Sequence, residues 1–480
     1  MRNILKEIET KYPVAEIRVN GQQVWPYLRM HYFFQYATKM TIASGERLSY
    51  SRSRLADWSR QLASSLYGAP NWFRKYDYIA LSNTAVRKQV ADSYFDRLLD
   101  PIIDEVGPDR VLLIESPSMD PGLIVEPLAP GHYPIKQVHT RNITSDAIPK
   151  LVAFILRKSG IKRPRIENMA VLQEIQREFG LNIDDAQAIQ TFEAQRRVFS
   201  FLFRRIQPRK VILQCYYGLM PAVRAANDLG IDVVESQHGT IGKKHPAYNV
   251  YTEIDRSCFP GYLLSFGKEE LKTFDNSRFI DPAHVHPVGS FYIEYVKKSF
   301  NPDRTILDRL RGYRRRIGIA LGIGTEKSLI EFVCRAAGLD NTICYILIPR
   351  VLDSYLLSFN LPDNVIIIEG RNFHELMMYV DFHSTMISSC ALEAPSLGVQ
   401  NILINIDNRS KYYYADLLTD SRVTRFVDTP EDYLEAVNTF IRLDRKTVCR
   451  LNEDNFSPDY GQNIRNFVRE YLDPSLEAGC

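Results

Sequence analysis

The chain has 480 residues, more than one ordinary hydrophobic core accommodates, so at least two domains are expected. Its hydrophobic fraction of 45% and charged fraction of 24% are those of a globular protein, which excludes disordered, fibrous and membrane-spanning classes. Lys and Arg number 60 against 57 Asp and Glu, which gives no electrostatic case for nucleic acid as a partner.

Seven cysteines stand singly at 215, 258, 334, 344, 390, 449 and 480, with no ligand-spaced pair, so reduced core thiols and no structural zinc are expected. Residues 1–14 lack the apolar core of about 7–15 residues that marks a signal peptide, and no apolar run reaches the roughly 18 residues of a membrane span. A cytoplasmic chain is expected, with peripheral contact at the inner face of the membrane.

Residues 1–78 are rich in Arg, Tyr, Trp and Ser and read as a mainly helical extension. Their basic segment, Arg47 to Arg60, reads as a solvated cap or as a surface that touches anionic lipid or a lipid-linked acceptor. From Arg110 onward, short apolar runs alternate with helical stretches. Buried strands are predicted at 110–115, 210–214 and 231–235, with a helix from Leu219 to Leu229 ended by Gly230. Such a strand–helix–strand unit favours parallel pairing and an open sheet covered on both faces. A last strand and turn of this half is predicted at 281–290.

The charged stretch from Asn301 to Arg316 places a boundary between domains 1–300 and 301–480. Beyond it, strands are predicted at 317–321, 345–348, 365–369, near 385–387 and at 401–404. Helices are predicted to Ala337, over 373–379 and over 391–397. The alternation predicts a second doubly wound α/β domain, with an amphipathic helix from Asn463 to Leu472 packing back across the first.

Three constellations carry candidate chemistry. Glu235-Ser-Gln-His-Gly-Thr240 follows a strand, so His238 is displayed where open sheets bind ligands and could take a proton from an attacking hydroxyl. Glu235 could orient the imidazole or act as the base, while Gln237, Gly239, Thr240 and His245 would contact the acceptor. In the second half, Ser388 and Ser389 open a short helix suited to phosphate, and Glu393, one turn on, could accept hydrogen bonds from a ribose. Gly322, Gly324, Thr325 and Lys327 form a turn after a strand that could also meet phosphate, without the spacing of a P-loop. His284 and His286 could bind metal by spacing alone but lack an acidic partner.

Taken together, these sites resemble GT-B glycosyltransferases, and among them bacterial capsule and teichoic-acid transferases of the CDP-glycerol glycerophosphotransferase group. The resemblance runs from Ile317 to about Val437 and rests on Phe373-His-Glu-Leu through Asp381, Ser388, Ser389, Glu393, Gly398 and Leu403. Gln237-His238-Gly239-Thr240 is similar to the group's His-Gly-Thr loop, whose histidine is thought to act as base. Gln237 stands where that group has tryptophan, and Pro349-Arg350 replaces an expected His-Pro, with Arg350 supplying positive charge. The resemblance implies two Rossmann-like domains facing a cleft and a nucleotide-sugar or polyol-phosphate donor. It also implies an oligo- or polysaccharide acceptor, lipid-linked in one version, and metal-independent transfer with no cofactor. A nucleotide-sugar 2-epimerase and a non-catalytic scaffold subunit of a polysaccharide-assembly complex stay open as alternatives.

Overall fold

The computed structural model describes residues 3–43, 46, 65–66, 68–116, 138–275, 277–322, 324–350, 352 and 354–474. The basic segment from Arg47 to Arg60 lies outside the described residues. Two short hairpins, β1 (Arg18–Val19) with β2 (Gln22–Gln23) and β4 (Arg87–Val90) with β5 (Ser93–Asp96), accompany two large sheets. The first sheet holds β3 (Tyr78–Asn83), β6 (Val111–Ser116), β7 (Ile143–Ser145), β8 (Lys210–Leu213), β9 (Asp232–Ser236), β10 (Tyr262–Ser265) and β11 (Val285–Pro287). The second holds β12 (Arg315–Ala320), β13 (Ile343–Ile348), β14 (Val365–Ile367), β15 (Phe382–Ser384), β16 (Gln400–Ile404) and β17 (Thr424–Val427).

Across the first sheet the order is β7-β6-β3-β8-β9-β10-β11, and across the second β14-β13-β12-β15-β16-β17. Every pairing within them is parallel. Each sheet therefore starts at its centre, winds outward, then reverses, which creates a switch point between β3 and β8 and another between β12 and β15. Strands buried on both faces read as continuous apolar runs, and Ile343-Cys-Tyr-Ile-Leu-Ile348 is buried throughout.

Two elements depart from the expected placement. The strand expected near 385–387 is β15, three residues earlier. There Phe382, His383 and Ser384 are fully enclosed, and beyond them the Thr385 hydroxyl donates to the Ala320 carbonyl. The central strand β3 lies in a stretch the apolar pattern left unassigned.

The N-terminal helices Ile4–Lys11 and Trp25–Ala43 are part of the first core, where Trp25, Leu28 and Tyr32 are buried. Their one enclosed cation, Arg29, pairs with Glu9 at 2.8 Å and donates to the carbonyls of Ala247 at 3.2 Å and Asn249 at 2.6 Å. No described helix is long and apolar enough to cross a membrane.

The last helix of each half crosses to the other sheet. Helix Phe291–Ser299 sends Tyr292, Ile293 and Val296 into the core of the second sheet, beside Ile346 and Met377. Helix Tyr460–Phe467 and the turn to Leu472 return to the first sheet, where Ile464, Phe467 and Leu472 pack against Tyr78, Ala80 and Leu113. On its way back, the segment 454–457 passes directly over two glycines. A Cβ at Gly267 would lie 2.3 Å from the Asp454 carbonyl oxygen, and one at Gly289 2.3 Å from that of Ser457.

Gly289 also has a left-handed backbone, φ +91°. Gly289→Ala is therefore expected to cost about 2–3 kcal/mol, since backbone atoms cannot yield as a flexible side chain does. Gly230→Ala has a similar φ of +69° but faces open space, and should cost only about 1 kcal/mol. Urea unfolding midpoints of the two variants check the difference.

Candidate functional site

The carboxyl ends of β3, β6, β8 and β9 face the ends of β12 and β13 and the 388–390 turn across a cleft of about 730 Å3. Both switch points open into it, as the general rule for open α/β sheets requires. Of the residues singled out from sequence, His238, Gly239, Arg350, Ser388, Ser389 and Glu393 line this one space.

His238 enters from the end of β9. Its Nε2 meets the Tyr217 hydroxyl at 3.1 Å. Burial, together with Arg97 and Arg350, lowers the imidazole to about 4 against the Gln214 backbone, which favours the proton. The ring is therefore neutral at physiological pH and able to accept a proton. Next to it, a Cβ at Gly239 would meet nothing within 4 Å, so the space above the loop is open to a ligand.

From the other wall, Glu393 projects from the helix Cys390–Ser396. His374 Nε2 lies 2.5 Å from Oε2, the Ser389 hydroxyl donates to Oε1 at 3.2 Å, and Arg97 stands 3.9 Å away. Burial alone would raise the carboxyl, but His374 and Arg97 outweigh it and hold Glu393 at about 2. Burial lowers His374, while the Glu393 carboxylate beside it favours the ring's proton. Local sequence fixes that ring. Asn372 and Glu375 form a reciprocal capping box at the start of helix Phe373–Met377, and Asn372 also donates to the Tyr292 hydroxyl at 2.8 Å.

Sequence reasoning missed three residues. Lys88 and Arg97, on and just after the β4–β5 hairpin, belong to the first half but reach the second wall, and His374 is the partner of Glu393. Burial lowers Lys88 to about 8, with Arg97 and Arg350 repelling its charge and Glu393 opposing them. With Arg350 and Arg371 also lining the cleft, positive charge converges around one carboxylate. His374 stood in the Phe373-His-Glu-Leu run without a role assigned to it, and the Asn-x-x-Glu cap before it was a further local signal; nothing local places the hairpin.

Other expected roles are redirected. Glu235 does not orient His238: its carboxyl accepts from the Tyr216 backbone at 3.1 Å and the Tyr248 hydroxyl at 2.8 Å, beneath the cleft. Burial raises it to about 8. Gln237 braces the loop from inside, donating to the Gly239 carbonyl at 2.7 Å and to Glu270 at 2.9 Å. His245 is enclosed beside Tyr248, its ring lowered by burial to about 3, and its Nδ1 accepts from the Ala247 backbone. The Thr240 hydroxyl is buried outside the lining of the cleft.

The Gly322–Lys327 turn likewise does not reach the cleft. Thr325 donates to the Gly322 carbonyl at 2.9 Å, and the Lys327 side chain is exposed. The start of the helix that follows this turn holds the Glu46 carboxylate, which accepts from the Lys327 backbone at 3.2 Å and the Ser328 backbone at 3.1 Å.

No family model and no curated protein sequence matches this chain. Solved structures do. A UDP complex of S. aureus MnaA aligns with a TM-score of 0.50 at 10% identity, covering 83% of this chain and 97% of that one. The UDP-GlcNAc 2-epimerase of Methanocaldococcus jannaschii gives 0.48 at 13%, covering 84% and 99%. The spinosyn rhamnosyltransferase SpnG gives 0.49 at 13%, covering 83% and 99%. At these identities the likeness is one of fold. The chain has the α/β GT-B architecture of two Rossmann-like domains about a cleft, which UDP-sugar epimerases and glycosyltransferases share. None of the three is a CDP-glycerol transferase.

The buried acids set a pH signature. Glu235 is raised by burial to about 8 in the folded chain, against an ordinary value of 4.5, so its favourable protonated state is fully populated below about 4.5. Between pH 5 and 8 the unfolded chain loses this proton first, and stability falls. Glu235→Gln keeps the acceptor for Tyr216 and Tyr248 and cannot ionise. The variant should match the parent near pH 4.5 and exceed it by a few kcal/mol at pH 8 in urea unfolding, an order-of-magnitude expectation.

Proposed function

We propose that the chain is a metal-independent glycosyltransferase. It moves a sugar, or a polyol phosphate, from a nucleotide-activated donor to a hydroxyl of a growing cell-surface polysaccharide. One observation carries the reading: neutral His238 of the first sheet lines the same cleft as the Glu393–His374–Ser389 cluster of the second, ringed by Lys88, Arg97 and Arg350. The donor's diphosphate lies among those cations and the hydroxyls of Ser388 and Ser389, and its ribose hydroxyls donate to Glu393. His238 accepts the proton of the acceptor hydroxyl as that oxygen bonds to the anomeric carbon. The bond to the diphosphate breaks, and the leaving oxygens keep the electron pair beside Arg97 and Arg350. With base and leaving group on opposite sides of the sugar, the centre inverts.

Epimerisation at C2 is the second reading that the shared fold admits. It calls for acid and base groups on both faces of the sugar, whereas Glu393, already bonded to His374 and Ser389, is the one carboxylate among the described residues lining the cleft.

Thermal shift against CMP, CDP, UDP, GDP and dTDP, with EDTA and with magnesium, tests the donor site. The matching nucleotide at about 100 times its Kd should stabilise by roughly 2.7 kcal/mol, with the shift surviving EDTA and disappearing in Glu393→Ala. No shift with any nucleotide would turn the reading to a scaffold. His238→Ala should lower turnover roughly 100-fold or more without lowering the melting temperature. With His238 at about 4, the rate of the parent should hold from pH 8 down to about 5. UDP released from donor in the absence of acceptor would favour the epimerase.

A further inference from the structure

Helix Ala147–Ser159 is built inside out. Its inner face, Ala153 with Leu156, packs on Ala194, Val198 and Leu202 of the long helix Asp185–Ile206. Its outer face carries the larger apolar side chains: Leu151 is 39% exposed, Val152 41%, Phe154 52% and Ile155 53%. At about 100° per residue, these four cover a continuous stripe roughly 160° wide, diametrically opposite the packed face. Bulk apolar groups normally sit inward, and a contiguous outward patch marks an interaction surface.

The charges around the stripe say what covers it. The helix contains no acidic residue, Arg157 borders the stripe on one side together with Lys150, which pairs with Asp146 at 2.8 Å, and Lys158 closes its C-terminal end. Arg157 lies over the Phe154 ring at 5.4 Å, an arrangement that keeps a cation at the edge of an inserted aromatic. A second copy of the chain on this face would set these cations against their own duplicates. Anionic headgroups above a hydrocarbon layer match both features at once.

We infer that the outer face of helix 147–159 docks on an anionic lipid surface, Leu151, Val152, Phe154 and Ile155 entering the acyl boundary while Arg157 and Lys158 meet the headgroups. The helix begins at the cleft. Asp146, immediately before it, accepts a hydrogen bond from the hydroxyl of Ser116, one of the residues lining the cleft. Docking there holds the mouth of the first domain close to the lipid surface, so an acceptor carried in the bilayer reaches it without leaving the membrane. The inference rests on this surface alone and stands whatever reaction the cleft performs.

Flotation of the full chain with vesicles tests it, using phosphatidylcholine alone and an equimolar mixture with phosphatidylglycerol. Binding is expected on the mixed vesicles, falling with added salt, and should weaken about tenfold or more in Phe154→Glu/Ile155→Glu while the melting temperature and nucleotide binding hold. Phe154→Trp supplies a readout without loss of apolar character, and its fluorescence should be quenched by brominated acyl chains. The inference is overturned by equal binding of parent and double variant, by equal binding to neutral vesicles, or by an unquenched Trp. Self-association that the double variant abolishes would equally overturn it and make the face a contact between copies.

Discussion

A buried carboxylate must be met by donors, and the cleft is organised around how Glu393 is met. Unpaired, it would cost several kcal/mol or take up a proton; paired with His374, Ser389 and Arg97 it remains an anion. Each partner arrives by a different route. Ser389 precedes Glu393 by one turn, His374 is aimed by the capping box of Asn372 and Glu375, and Arg97 follows a hairpin of the opposite domain. Through Arg97 the carboxylate also makes a contact between the two walls.

On the first wall the same logic runs through Arg29. Its guanidinium is wholly enclosed, and Glu9 with the Ala247 and Asn249 carbonyls satisfies it. Those carbonyls belong to the loop that leaves His238. The same loop crosses to the second domain, where Lys244 donates to the Tyr412 carbonyl at 2.9 Å and pairs with Asp416 at 3.2 Å. The N-terminal helices are therefore part of the support for the loop that carries the imidazole, and the same loop joins the two walls.

The sequence made much of this readable, and its failures are instructive. Parallel strands covered on both faces, such as Ile343–Ile348, appear as unbroken apolar runs, which is why the alternation of the second half could be followed. β3 was missed because four apolar residues, Tyr78-Ile-Ala-Leu81, follow a stretch without helical period, and nothing local reveals that six other strands line up around them. The Ser-Ser and Glu393 pattern was legible because cap and carboxylate lie one turn apart. Glu235 was misread because period-two alternation tells which face of the strand a side chain takes but not what waits on that face; here it was Tyr216 and Tyr248. Lys88 and Arg97 were invisible for a different reason, since their place is set by a hairpin crossing between domains.

The returning C-terminal segment has a consequence for the order of events on the ribosome. The face of the first sheet formed by Tyr78, Ala80 and Leu113 is covered by Ile464, Phe467 and Leu472, which are made only after the whole second sheet. At about 5–20 residues per second, β11 emerges on the order of ten seconds or more before its cover does. Throughout that interval a nearly complete parallel sheet presents an apolar face to solvent. The first domain can assemble its strands early in translation, yet it cannot seal itself until the second domain has been made.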